Sequence, residues 1–166
     1  SVAINTSAAK WGTTILPFAV ASLPDGVKAY TCAALDAEDE KKLTLESVEA
    51  LEANKPYIIE GEWNTGDAPL TGWGLGAATT YTDGFLTGVY EATDAPVDSY
   101  VMQKNNGGVG FYQVAEGEQP TVGANHCYLT VAEDAARAAF FLLGEEATAI
   151  EAIEVLTSGE AEVYTV

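Results

Sequence analysis

Ala53-Asn54-Lys55-Pro56-Tyr57-Ile58-Ile59 and Ala124-Asn125-His126-Cys127-Tyr128-Leu129 are the two stretches that decide the fold. Each opens with an Ala-Asn turn signal and runs into an aromatic-led apolar segment of strand length. Each also sits late in a similar block. One block begins near Gly26-Val27-Lys28-Ala29-Tyr30 and the other near Val97-Asp98-Ser99-Tyr100. Tyr30 to Tyr57 spans 27 positions, and Tyr100 to Tyr128 spans 28. The echo predicts a degenerate internal duplication of β-hairpins.

Outward from these stretches the same grammar continues. Lys28–Leu35 reads as a strand with Tyr30, Cys32 and Ala34 on one face. Asp36-Ala37-Glu38-Asp39-Glu40 makes a charged hairpin tip, and Lys41–Val48 returns with Leu43 and Leu45 alternating against Thr44 and Glu46, as expected of a strand with one solvated face. Leu23-Pro24-Asp25-Gly26 is a turn. Asn105-Asn106-Gly107-Gly108 is the strongest hairpin signal and joins strands over 99–104 and 109–114. Further strands are expected around 11–18, 56–62, 85–90, 127–131 and 137–143. Residues 63–84, rich in Gly, Thr and aromatics, read as a long connection with short strand pieces at most. About ten short strands at this spacing predict an all-β fold, an antiparallel β-sandwich over residues 1–144. Residues 145–166 change character: a short helix over 145–156, a break at Thr157-Ser158-Gly159, and a terminal strand over 160–166. That strand is expected to pair with its own sheet or to add to a neighbour's, the latter making a self-assembling filament subunit.

The chain has 166 residues, enough for one core. Acidic residues outnumber basic ones 25 to 7, for a net charge of −18. Such a field repels nucleic acid and anionic lipid, so neither is expected as a partner. It serves solubility, or else an acidic patch for cations or a basic partner. No apolar run reaches the roughly 18 residues of a membrane span. No signal peptide is legible at Ser1, as expected of a mature or trimmed chain. Two cysteines, Cys32 and Cys127, are compatible with one disulfide or with two free buried thiols.

Chemistry-bearing residues are sparse. The single histidine, His126, adjoins Cys127, but strand neighbours point to opposite faces and cannot serve each other. No nucleophile elbow occurs, one His and two separated Cys make no zinc site, and no cofactor is expected. Gly72-Trp73-Gly74-Leu75-Gly76 lacks the strand and helix that phosphate binding needs. The Asp36–Glu40 tip lacks the spacing of a calcium loop. Trp63, Trp73 and Tyr81 stand out. Aromatics in a Gly/Thr-rich connection form either a flat platform for sugar rings or a partner protein, or a plug in the end of the sandwich.

Ile15-Leu16-Pro17-Phe18, Leu23-Pro24-Asp25-Gly26-Val27-Lys28-Ala29-Tyr30-Thr31, Ala53–Gly61, Leu86-Thr87-Gly88-Val89-Tyr90, Gly110-Phe111-Tyr112-Gln113-Val114 and Ala124-Asn125-His126 occur in this order. They are followed by Ile150-Glu151-Ala152-Ile153 and Gly159–Tyr164. The order resembles a β-sandwich accessory module of secreted and cell-surface proteins of the Bacteroidota, whose tail looks like the linker into a C-terminal sorting or anchoring segment. The resemblance spans most of the chain and brings no catalytic residue with it. It implies an exported, extracellular module, and that setting favours a Cys32–Cys127 bridge. The function expected is non-catalytic: adhesion, assembly or protein interaction at the cell surface. The alternatives are a carbohydrate-binding module using Trp63, Trp73 and Tyr81, and the filament subunit.

Overall fold

The computed structural model describes residues 1–6, 8–74, 78–105, 107–131, 138–144 and 148–150. Every named element among them is a strand. In chain order these are β1 (Trp11–Ile15), β2 (Lys28–Leu35), β3 (Leu43–Val48), β4 (Pro56–Glu60), β5 (Thr80–Asp83), β6 (Leu86–Val89) and β7 (Thr93–Asp94). They continue with β8 (Tyr100–Asn105), β9 (Gly108–Gln113), β10 (Thr121–Val122), β11 (His126–Leu129), β12 (Phe140–Leu142) and β13 (Thr148–Ile150). The fold is all-β, as the spacing of turn signals predicts.

Two large sheets and a ribbon result. The first sheet runs β1-β4-β2-β3-β13, the second β12-β9-β8-β11-β6-β5, and β7 pairs with β10 alone. All pairings are antiparallel except β13 on β3. The chain traces matching paths through the two sheets. Tyr30 of β2 lies opposite Ile58 of β4, and Tyr100 of β8 lies opposite Leu129 of β11. Outside the sheets, the Val20↔Leu51 bridge has its counterpart in Thr93↔Val122. The order β1-β4-β2-β3 thus recurs as β6-β11-β8-β9.

Alternation along the strands supplies the core. Tyr30, Cys32, Leu43, Leu45 and Ile58 of the first sheet meet Leu86, Tyr100, Phe111, Leu129 and Phe141 of the second in one cluster. The rings of Tyr100 and Phe141 lie 4.9 Å apart. The buried Tyr100 keeps its hydroxyl satisfied by donating to the Ala138 carbonyl at 2.6 Å. A second cluster gathers Ile4, Leu16, Phe18, Tyr57 and Trp63 on the opposite face of the first sheet, since Tyr57 and Ile59 alternate with the main-core Ile58 along β4.

Two expectations change. Cys32 and Cys127 are free thiols, not a disulfide. The halves do not set them side by side: β2 has β3 and β4 as neighbours, whereas β11 has β6 and β8. Cys32 packs in the main core instead, and the Cys127 thiol donates to the Thr14 carbonyl at 3.4 Å. Second, Thr148–Ile150 is a strand along the outer edge of β3 rather than part of a helix. That edge offers unpaired backbone groups, which a helix would leave unmet. The remainder of the expected helix and the terminal strand over 160–166 lie outside the described residues. The connection over 63–84 contains a short strand, β5, paired with β6 from Thr80↔Val89 to Asp83↔Leu86, in keeping with the short strand pieces the sequence allows there. Its polar Thr-Tyr-Thr-Asp sequence suits a sheet edge with little burial.

Candidate functional site

Pro17-Phe18 leaves the end of β1, and the Gly72-Trp73-Gly74 backbone lies directly on it. A Cβ at Gly72 would sit 2.5 Å from the Phe18 ring, and one at Gly74 would overlap the Pro17 carbonyl oxygen. Only glycine permits this approach. The two glycines seat the backbone, and the indole between them is 98% exposed. Both faces of an indole so placed are open to stack on a planar or apolar group, and its N–H is open to an acceptor.

The other two aromatics of the expected platform lie elsewhere. Trp63 is buried at 6% exposure with Ile4, Leu16 and Phe18, and its backbone N–H donates to Thr6 Oγ1 at 3.0 Å. Tyr81 is half-buried on β5, edge-on to Tyr90 with ring centroids 6.0 Å apart. The Tyr81 hydroxyl accepts the Ala78 N–H at 3.2 Å. Trp63 therefore plugs the second core, and the structure does not bring the three rings onto one exposed surface.

The His126–Cys127 neighbours divide as strand geometry requires. His126 is exposed and Cys127 is buried. The His126 Nδ1 lies 2.9 Å from the Thr13 carbonyl oxygen, to which it donates. Cys127 N–H donates to Thr13 Oγ1 at 3.0 Å. Burial pushes the Cys127 thiol up to about 12, against smaller lowering by hydrogen bonds. Burial does the same to Cys32, also to about 12. A thiol held neutral at physiological pH is a poor nucleophile and a poor metal ligand.

The acidic hairpin tip is committed to its own turn. Asp36 Oδ2 accepts the N–H groups of Glu38 at 2.9 Å and Asp39 at 3.1 Å. Among the described residues no group of three His, Cys, Asp or Glu side chains is placed to hold a metal ion. Among the same residues, no helix is long and apolar enough to cross a membrane.

Two features have no counterpart in the reading of the sequence. A cleft of about 470 Å³ opens on the second sheet between β8 and β11, with Trp11, Thr13, Met102, Lys104, Val122 and His126 among its walls. Such a volume lies in the range of ligand clefts. On β12, Phe140 is 46% exposed beside Tyr112, with ring centroids 5.6 Å apart. The doublet Phe140-Phe141 carried that signal, since successive strand residues face opposite ways and only one of the two can point into the core between the large sheets.

No family model matches the chain, and neither a curated protein nor a solved structure does.

Proposed function

We propose that this chain is a non-catalytic binding module of an exported cell-surface protein, an internally duplicated antiparallel β-sandwich that meets a protein partner through Trp73. The recurring strand order and the equivalent pairs Tyr30↔Ile58 and Tyr100↔Leu129 support the duplication. The main core cluster, drawn from both large sheets, supports the sandwich. The extracellular setting rests on the resemblance described above.

The binding role rests on Trp73. A wholly exposed tryptophan is costly to keep in water, and here two glycines seated on Pro17-Phe18 hold it there. Tryptophan is among the residues that dominate protein interfaces when inserted into a partner's pocket. A lone ring favours a protein pocket over a glycan chain, which is gripped best by several rings in a row. The non-catalytic part of the reading is supported by two neutral buried thiols and a histidine tied to a backbone carbonyl.

Adhesion of beads coated with the full chain to a cell layer tests the role. Trp73→Ala is expected to abolish retention while leaving the melting temperature unchanged, and Trp73→Phe to retain part of it. Equal retention by wild type and Trp73→Ala would sink the reading. A glycan array run with both proteins separates the second possibility. Binding there that is lost in Trp73→Ala moves the partner from protein to carbohydrate.

A further inference from the structure

The cleft between β8 and β11 is a gap in a sheet, and its walls carry unused backbone groups. β8 and β11 share one pair, Leu129↔Tyr100. Beyond it β8 continues to Asn105, paired with β9 alone. The direction of its peptide groups follows from β9. Gln113 N–H donates to Ala139, and the Val109 carbonyl accepts from Leu143, so both are turned toward the β12 side. They stand opposite Tyr100 and Lys104. In an antiparallel ladder, alternate residues serve alternate sides. Tyr100, Met102 and Lys104 therefore aim N–H and C=O away from β9. Tyr100 meets Leu129. Met102 and Lys104 face the cleft, and their peptide groups find no partner among the described residues.

The first sheet contains the same gap, and there it is filled. β2 and β4 pair through Tyr30↔Ile58 and then part. Cys32, two residues past Tyr30, stands where Met102 stands relative to Tyr100. The Cys32 carbonyl accepts the Phe85 N–H at 2.8 Å. The donor arrives on the β5–β6 hairpin, whose Gly84, at φ +60, comes so close that a Cβ would sit 2.6 Å from the Cys32 oxygen. Phe85 packs its ring against the main core. In the filled gap the β4 wall offers no donor at Pro56. In the open gap the matching position, Cys127, has its N–H occupied by Thr13. In both gaps the free wall is that of β2 or β8.

We propose that the cleft is a docking site for an extended peptide segment of another protein, which supplies a backbone N–H to the Met102 carbonyl and an aromatic or large apolar side chain to the apolar walls. A strand with unmet peptide groups is a template for strand addition, in which main-chain bonds give affinity and side-chain pockets give selectivity. The filled gap within the same molecule supplies the chemistry of the occupant. This site is separate from Trp73 and stands or falls without it.

The probe is the capped hexapeptide Thr-Asp-Gly-Phe-Leu-Thr, the sequence of residues 82–87 that fills the first gap. It is titrated into the full-length wild-type protein while backbone amide signals are followed by NMR. Saturable shifts centred on Met102, Lys104 and His126 are expected, with slowed hydrogen exchange at the Met102 and Lys104 amides. A second peptide, N-methylated at the phenylalanine nitrogen, lacks the donor and is expected to bind at least about tenfold more weakly. No shifts up to millimolar peptide, shifts confined to other surfaces, or equal binding by the N-methyl peptide would each overturn the proposal. So would strong protection of the Met102 and Lys104 amides before any peptide is added, because the chain would then fill its own cleft.

Discussion

Asn54 and Asn125 close on consecutive residues at one end of β1. Both adopt left-handed backbone, with φ of 61° and 68°. Asn54 N–H donates to the Leu16 carbonyl at 2.7 Å, and Asn125 Nδ2 donates to the Ile15 carbonyl at 2.9 Å. The Asn54 side chain in turn accepts the Tyr90 hydroxyl at 2.7 Å. The two turns that echo each other in the sequence thus meet in space and clamp the strand between them.

Asn125→Ala removes one side-chain bond and leaves the left-handed backbone to a residue that tolerates it less well than asparagine. The bond contributes about 1 kcal/mol and the backbone strain costs about 1–2 kcal/mol. A loss of about 2–3 kcal/mol in urea unfolding is expected. Asn125→Gly relieves the backbone but does not restore the bond, so it is expected to recover roughly half of that loss. Equal losses for the two variants would show that backbone conformation plays no part.

Trp63 and Trp73 are expected to behave as opposites. Trp63→Ala empties a core site and is expected to cost about 3–5 kcal/mol. Trp73→Ala, at a surface position, is expected to change stability by less than about 0.5 kcal/mol. Acrylamide should quench the fluorescence of Trp73 readily and that of Trp63 poorly. A large destabilisation by Trp73→Ala would mean that the indole packs on the body of the protein.

The cysteines give a pH signature. Burial raises both thiols from the ordinary value of 9.0 to about 12. Below pH 9 they are protonated in folded and unfolded chains alike, and their contribution is complete. Between about 9 and 12 the unfolded chain releases protons that the folded chain keeps, so stability falls as pH rises. Urea unfolding at stepped alkaline pH should show this fall, and Cys127→Ala should make it shallower. Without reductant, both thiols should resist alkylation in the native protein and react fully in denaturant. A mass showing fewer than two alkylated sites after denaturation would contradict the free thiols.

Gly74→Ala tests how Trp73 is presented. The new methyl overlaps the Pro17 carbonyl oxygen, so the loop must lift away from Pro17-Phe18. A cost of about 1–3 kcal/mol is expected, together with faster proteolysis near residue 73. Unchanged cleavage and stability would show that the contact is not needed to hold the loop.

Much of the architecture was legible because it is local. The alternation of Leu43 and Leu45 with polar neighbours, the Asn-Gly signal after Lys104 and the paired Ala-Asn turns each report on a few adjacent residues. The strands they predict are present. What escaped is relational. Cys32 and Cys127 occupy comparable strand environments in sequence, and only the order of strands across the sheets separates them. Trp63 and Trp73 sit in similar Gly/Thr-rich surroundings. What distinguishes them is Phe18, some fifty residues earlier, which packs beside Trp63 and lies under Gly72. The gap between β8 and β11 leaves no trace in composition, because it depends on where two strands part. The sequence pattern around Thr148 favours a helix locally, whereas the edge of β3, about a hundred residues away, makes it a strand.

The Phe85–Cys32 bond bears on how the molecule can be made. Cys32 needs a donor that is synthesised 53 residues later, and Ile15 needs Asn125, 110 residues later. A nascent first half emerging from the ribosome therefore cannot finish its own sheet. It must wait for Phe85 to reach Cys32, for Asn125 to reach Ile15 and for β13 to cover the edge of β3. The two halves are joined like the parts of a clasp, and neither has a closed form to adopt alone.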